Sequence, residues 1–369
     1  MADTVHPVEV QRYGRAAGEL EYLFSHISSF AVGPAGEVYI HDDGEGIREY
    51  APDGDFVGYV ARQGEGPGEV QYVIGMHVSA TGTLAAYDLG NSRISVWEDG
   101  RPVRVVRRPD GMPMYRGNTV VVEPDGALWV GVNPPHPSSG AIAHPRPVFV
   151  SIDPSGTQGD TLFTPSGSTS ECPTLSDVQN RSGFWEDRRE PFTPKVKWNR
   201  GPGGTFVVGC PRSFEFDVYR PDGAIVRVRR DHAAIAVSSE ERSFWTGVGR
   251  MSDLPPERPA YVSFLVPGDG RVWVWPTQPS VRTPLDPEVA ERAGVSHSWV
   301  TGWTGAFDVF NREGEWLAVV QLPPGARYSG FPTEPDVFVR GDTLWAVALD
   351  SMDVQYVVRY EVPELRGAS

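Results

Sequence analysis

The side chains able to do chemistry are few and scattered. Eight histidines lie at positions 6, 26, 41, 77, 136, 144, 232 and 297, and no two stand in an HxH or HExxH spacing. The spacing that puts two imidazoles on one face of a strand or helix for a metal is therefore missing. His41 opens the run His41-Asp42-Asp43. With His26 and His297 it forms the one set that could converge on a metal or act as an acid–base group. The plainer reading is that each is solvated or hydrogen-bonded where it stands. No GxSxG elbow marks a nucleophile. The Gly-rich run Gly64–Gly68 lacks the Lys-Ser/Thr that would make it a phosphate loop.

Tryptophans supply a second candidate. Trp185 (after Phe184), Trp245, and Trp299 with Trp303 sit in otherwise polar stretches. They suggest an aromatic-walled groove for a sugar or a flat apolar ligand, or else the packing of loops onto a frame. Cys172 and Cys210 are the only cysteines. They allow one disulfide or two free thiols, and no CxxC metal or redox site.

The elements that must position these groups follow from composition and repetition. Of 369 residues, 41 are Gly and 34 Pro, while 40% are apolar. So many breakers exclude long helices, and so much apolar content excludes disorder. Many short strands joined by tight turns remain. A unit recurs six times, each with a first Gly turn: Gly33–Gly36, Ser79–Gly82, Glu123–Gly126, Gly201–Gly204, Pro267–Gly270 and Arg340–Asp342. A second Gly turn closes five units, at Ala51–Gly54, Trp97–Gly100, Asp153–Gly156, Arg220–Gly223 and Asn311–Gly314. The sixth unit lacks a fourth strand, and a spare one stands at Val8–Tyr13. The arrangement predicts an all-β, six-bladed β-propeller of four-stranded antiparallel blades. Its blades span about 28–60, 74–107, 118–163, 195–229, 260–320 and 334–362, and strand 8–13 closes the ring as one domain.

The stretch Tyr87-Asp88-Leu89-Gly90-Asn91-Ser92-Arg93-Ile94-Ser95-Val96-Trp97 resembles the NHL pattern of Asp, Gly-Asn, Arg-Ile and an aromatic. Arg62–Glu69 is similar to the Gly-rich inter-blade loop of the same repeats. The chain thus resembles the NHL-like and TolB-like six-bladed propellers. That group spans binding scaffolds, lyases and lactonases, so the resemblance implies a fold and leaves function to the site.

In such a blade, with strands A to D running outward, the A–B and C–D turns share one end of the ring. All are short here. The long insertions, 161–195 and 230–260 between blades and 132–145 and 276–306 within them, are D–A and B–C connections and belong to the other end. Ser238-Ser239-Glu240-Glu241 is a capping box, and Asp286-Pro287 an N-cap followed by Pro, so two insertions are expected to carry helices.

Aligned by their turns, the inner strands place Ser28, Ile74, Asn118, Val196, Val262 and Glu334 at one level of the channel mouth. His26, Tyr72, Arg116 and Lys195 stand just before them. Resemblance to gluconolactonase-like and paraoxonase-like propellers implies a calcium held there by Glu, Asn and Asp oxygens. Only Glu334 and Asn118 match that donor pattern, and Arg116 and Lys195 oppose a cation. No cofactor is expected, a divalent calcium or zinc ion being the alternative. The cationic pair suits a carboxylate or phosphate on a ligand.

The chain reads first as a binding or scaffold propeller for a small molecule, glycan or protein partner. The alternative is a hydrolase or lyase of lactonase or strictosidine-synthase-like type, metal-assisted, at the channel mouth. Net charge is −15, which argues against nucleic acid and anionic membranes. No run of 18 apolar residues spans a bilayer. A monomer is expected. Met1–His6 shows no basic region followed by an apolar run, so the expectation is a mature periplasmic or secreted protein or else a cytoplasmic one. Lys195 and Lys197 are the only lysines, and the remaining excess of arginine reads as the coding bias of a GC-rich genome.

Overall fold

The computed structural model describes residues 3–107, 120–131, 147–163, 172, 192, 194, 196–247, 255–284, 287, 297–301, 305–323, 337–362 and 365. Six four-stranded antiparallel blades form a ring. Blade one runs through Ile27–Val32, Val38–Asp42, Gly46–Tyr50 and Phe56–Arg62. Blade two runs through Val73–Val78, Leu84–Asp88, Arg93–Glu98 and Arg101–Arg107. The inner strands of blades three to six are Val120–Val122, Lys197–Arg200, Tyr261–Leu265 and Val337–Arg340.

Both sets of turns demand glycine. Gly36 in a first turn has φ +94° and Gly54 in a second has φ +95°, a region closed to most residues with a Cβ. Middle strands are buried on both faces, since each blade is covered by two neighbours. Leu84–Asp88 and Ala306–Phe310 are buried at every position. Outer strands such as Arg101–Arg107 expose most of theirs.

Six apolar clusters occupy the six interfaces between successive blades. Trp273 and Phe307 pack against Leu344 and Val358 between blades five and six. Ile27 and Phe30 meet Trp345 and Val357 between blades six and one. Because the last interface joins the end of the chain to its beginning, the core is circular.

The ring closes as the strand count requires. Strand β2 (Val8–Tyr13) pairs antiparallel with Gln355–Glu361 as the outer strand of blade six. The structure adds a strand that the sequence pattern does not announce. Strand β1 (Asp3–Val5) pairs parallel with Trp316–Gln321 of blade five. Eleven residues of N-terminal chain therefore tie two blades together. Val5 and Tyr13 are its buried anchors.

Arginine has a structural use beyond composition. Arg104 of blade two donates to the Gly126 and Asp153 carbonyls of blade three at 2.7 and 3.0 Å. Arg271 of blade five donates to Gly341 O of blade six at 2.6 Å. Arg340 of blade six bonds the Val32 and Gly33 carbonyls of blade one. A planar fork of donors can bridge two carbonyls in fixed geometry, which an ammonium cannot do.

On the loop end, helix α1 (Ser239–Gly247) forms where the capping box predicts it. The Glu241 N–H donates to Ser238 Oγ at 3.1 Å. The Glu241 carboxylate pairs with Arg258 at 2.5 Å, and that guanidinium reaches Ser280 Oγ at 2.7 Å. The Ser280–Pro284 and His297–Thr301 strands form a hairpin within the blade-five insertion. The helix expected from Asp286-Pro287 lies almost wholly outside the described residues.

Candidate functional site

Two polar arrangements stand at opposite ends of the ring, one on the loop end of blade one and one at the turn end of the channel. At the loop end of blade one, the second strand finishes in His41-Asp42-Asp43. Asp42 is buried, and its Oδ1 accepts the Ser25 N–H, the Ser25 hydroxyl and the His26 N–H at 3.0, 3.0 and 2.8 Å. Blade two repeats this device: Asp88 Oδ1 accepts the Gln71 and Tyr72 N–H groups, both at 3.2 Å. Each aspartate has an arginine partner that also bonds carbonyls of the incoming loop. Arg48 reaches Leu23 O at 2.8 Å, and Arg93 reaches Gly66 O and Glu69 O, both at 2.8 Å. The Asp and Arg of the NHL-like pattern are thus frame residues. They fix where an inner strand begins.

Asp43 faces the other way and joins two of the candidate histidines. Its Oδ2 lies 2.8 Å from His26 Nδ1, and its Oδ1 lies 3.6 Å from His41 Nδ1. His26 is exposed and His41 fully enclosed. The Ser28 hydroxyl donates to Val73 O at 2.9 Å, and its oxygen lies 2.5 Å from His41 Nδ1. Ser28 Oγ is thus the acceptor for an Nδ1–H, which leaves His41 Nε2 buried without a partner among the described residues. Burial outweighs the nearby carboxylates and lowers the His41 pKa from 6.5 to about 4. His41 is therefore a neutral group that positions Ser28 and Asp43. His26, oriented by Asp43, is the member open to solvent.

The channel itself encloses about 580 Å³. All six blades line it, from Ile74 near the loop end to Pro34, Pro124, Pro202 and Pro267 in the A–B turns. Its wall is mainly apolar, with Phe30, Met76, Phe149 and Phe338 among the larger side chains. The polar members include Ser29, Ser263, Asn199, His77, Arg200 and Arg340. His77 is the fifth of six residues in its strand, and Arg200 and Arg340 are the last of theirs. All three basic groups consequently stand at the turn end.

The Val122 N–H donates to His77 Nδ1 at 3.2 Å, so the ring hydrogen is on Nε2. Burial, with the charges of Arg340 and Arg200, lowers the His77 pKa to about 4. Arg200 pairs with Glu123 at 2.6 Å and lies 4.3 Å over the Trp129 ring. Burial lowers the pKa of both Arg200 and Arg340. Sequence spacing could not reveal this group, since its members stand alone on blades two, four and six.

The remaining candidates divide by placement. Tyr72 is half-buried on the turn into blade two, tied by its backbone to Asp88. Trp245 packs in a small loop-end cluster with Phe192 and Val237. His297 and Trp299 lie on the second strand of the blade-five hairpin. Arg116, Asn118, Trp185, Lys195 and Glu334 lie outside the described residues, as does Trp303. Of the proposed convergent set, the structure brings His26 and His41 together through Asp43. Among the described residues no group of three or more His, Cys, Asp or Glu side chains is arranged to hold a metal ion. Cys172 and Cys210 form a disulfide that ties the long insertion before blade four to the end of that blade's second strand.

No protein-family model and no curated protein sequence matches the chain. Among solved structures, a member of the DUF4221 family from Bacteroides vulgatus aligns over 98% of both chains, at 12% identity and TM-score 0.57. A protein named as exported, from Bacteroides fragilis, aligns over 97% of this chain and 99% of its own, at 11% identity and TM-score 0.51. A streptogramin B lyase aligns over 95% and 97%, at 10% identity and TM-score 0.44. The first two likenesses speak for the fold, which is the six-bladed β-propeller implied by the resemblance to NHL-like and TolB-like repeats.

Proposed function

We propose that this propeller is a small-molecule binding protein and that its ligand occupies the central channel. One observation carries the reading: a lumen of about 580 Å³, walled mainly by apolar side chains with a few convergent polar groups. Ligand pockets have this size and make-up. The inner strands that form it are held by their own blades, so the pocket exists before the ligand arrives. The aromatic groove considered for the loop end has weaker support, because Trp245 is spent on packing. The test is a thermal-shift and calorimetric screen on the parent and on Ser263→Trp, which puts an indole into the lumen. Compounds that bind the parent should lose binding to Ser263→Trp and keep it in Ser263→Ala. Binding that survives the blocked channel sinks the reading.

A second reading has its own observation, the exposed His26 oriented by Asp43. It would make the loop end a site of general acid–base chemistry on an ester, lactone or glycoside. Turnover of such a panel that falls at least a hundredfold in His26→Gln would support it, and no turnover in the parent would end it. The Cys172–Cys210 disulfide favours an oxidising compartment, and we place the protein outside the cytoplasm on that ground.

A further inference from the structure

We infer that the channel ligand is an organic carboxylate, its apolar body along the lumen and its carboxylate at the turn end among His77, Arg200 and Arg340. The inference rests on the channel reading and names the class of molecule bound there.

Three donors from alternate blades stand at one end of a mainly apolar tube, and each is oriented from outside the lumen. The Val122 N–H holds His77 Nδ1 and so leaves Nε2–H as that ring's donor. The Glu123 carboxylate and Gly201 O take Arg200 Nη1 at 2.6 and 3.3 Å. The Arg340 terminal nitrogens bond Gly33 O and Val32 O. A guanidinium carries five N–H groups, so both arginines retain donors beyond these contacts.

The neighbouring charges do not fill the place of an anion. Glu123 is committed to Arg200 and to the Gly203 N–H at 3.2 Å. Glu37 lies close enough to Arg340 to act on its charge, but its Oε2 accepts the Ala35 N–H at 3.0 Å. Among the described residues Arg340 has only carbonyl hydrogen-bond partners and the Phe338 ring at 5.2 Å. A half-buried guanidinium whose hydrogen bonds go to carbonyls, with Glu37 acting only through space, gains from a hydrogen-bonded anion, because charge-assisted forks are the stronger bonds. An acceptor-only head fits, since all three groups present donors. The wall beyond them offers Phe30, Met76 and Phe149 to an apolar body.

Matched probes test the inference: straight-chain carboxylates of six to twelve carbons and naphthoate, each beside its primary alcohol or amide, measured by calorimetry. At least one carboxylate should bind tenfold or more tightly than its neutral partner. Arg340→Met should bring that carboxylate to the level of its partner and leave the partner unchanged. Should Arg340→Met fail to fold by circular dichroism, His77→Leu serves in its place, with a smaller loss confined to the carboxylate. If neutral and charged partners bind alike, and both are lost in Ser263→Trp, the carboxylate assignment falls and the channel reading stands. If carboxylates bind equally well to the parent, Arg340→Met and Ser263→Trp, both fall.

Discussion

Replacing Asp42 with alanine tests whether the Asp–Arg device carries the frame at the loop end. Asp42 is 1% exposed, and its carboxylate holds the Ser25 and His26 amides, the Ser25 hydroxyl and, at 3.5 Å, Arg48 Nη2. The substitution orphans two backbone donors and leaves Arg48, itself 2% exposed, with Leu23 O, the neighbouring Tyr50, Tyr59 and Phe24 rings, and one carboxylate, the exposed Glu45. Breaking a buried pair from one side costs about 3–5 kcal/mol, because the remaining charge stays out of water. A glutamate beside the same arginine provides the control. Glu45 lies 3.7 Å from Arg48 and is 55% exposed, so Glu45→Ala should cost under about 1 kcal/mol.

The unfolding entropy of a chain of 369 residues is about 0.8 kcal/mol/K, at about 2.1 cal/mol/K per residue. Asp42→Ala should therefore melt about 4–6 K below the parent, and Glu45→Ala within about 1 K of it. That conversion holds if the ring melts as one unit, as its circular core implies, and agreement of calorimetric with van't Hoff enthalpy checks it. Equal small shifts in both variants would refute the argument, since they would show Arg48 to be satisfied without Asp42.

Three further outcomes are expected. His41 and His77 titrate near pH 4 in the fold against 6.5 in the free side chain. The unfolded chain thus binds more protons between those values, so stability is full above pH 6.5 and falls as pH drops towards 4. The loss is on the order of 3 kcal/mol for the enclosed His41, and urea midpoints across this range should flatten in His41→Asn. Deleting residues 3–13 removes β1 and β2 and bares the edge of Gln355–Glu361. Light scattering should then show association, and Tyr13→Ala alone should cost about 3–5 kcal/mol in chemical denaturation. The Cys172–Cys210 bond spans 38 residues, so the double serine variant should lose about 2–4 kcal/mol. Thiol labelling of the unreduced, unfolded protein should find no free cysteine.

The blades were legible because their punctuation is obligatory. A hairpin that needs φ near +90°, as at Gly36 and Gly54, leaves glycine in the sequence whatever the rest of the blade does. Closure was legible from a missing strand at one end and a spare at the other. β1 was not, since three residues pairing parallel at an outer edge carry no periodicity of their own. Asp88 was visible as a motif residue and Asp42 only as part of the run after His41, and their hydrogen bonds show both fixing backbone at the loop end. His41 looked like a chemical group and proves fully enclosed, while His26 beside it remains accessible. Burial, which decides between those roles, is a property of the blade's neighbours.

The turn end shows why a propeller site can leave no motif. A residue at the end of an inner strand is rigidly placed by the turn that follows it. Arg200 precedes Gly201, whose N–H closes the turn onto Thr205 O at 3.0 Å, and Arg340 pairs directly with Thr343. Neither position requires an insertion or a special spacing, and the three members stand more than a hundred residues apart on alternate blades. Among the described residues the charged groups that line the channel stand at the end of the short A–B turns. Rigid strands hold a binding group more accurately than loops do. The ring's symmetry sets three isolated residues around one end of the channel. That placement rests on six blades closing, so the N-terminal strands that close them help to define the channel.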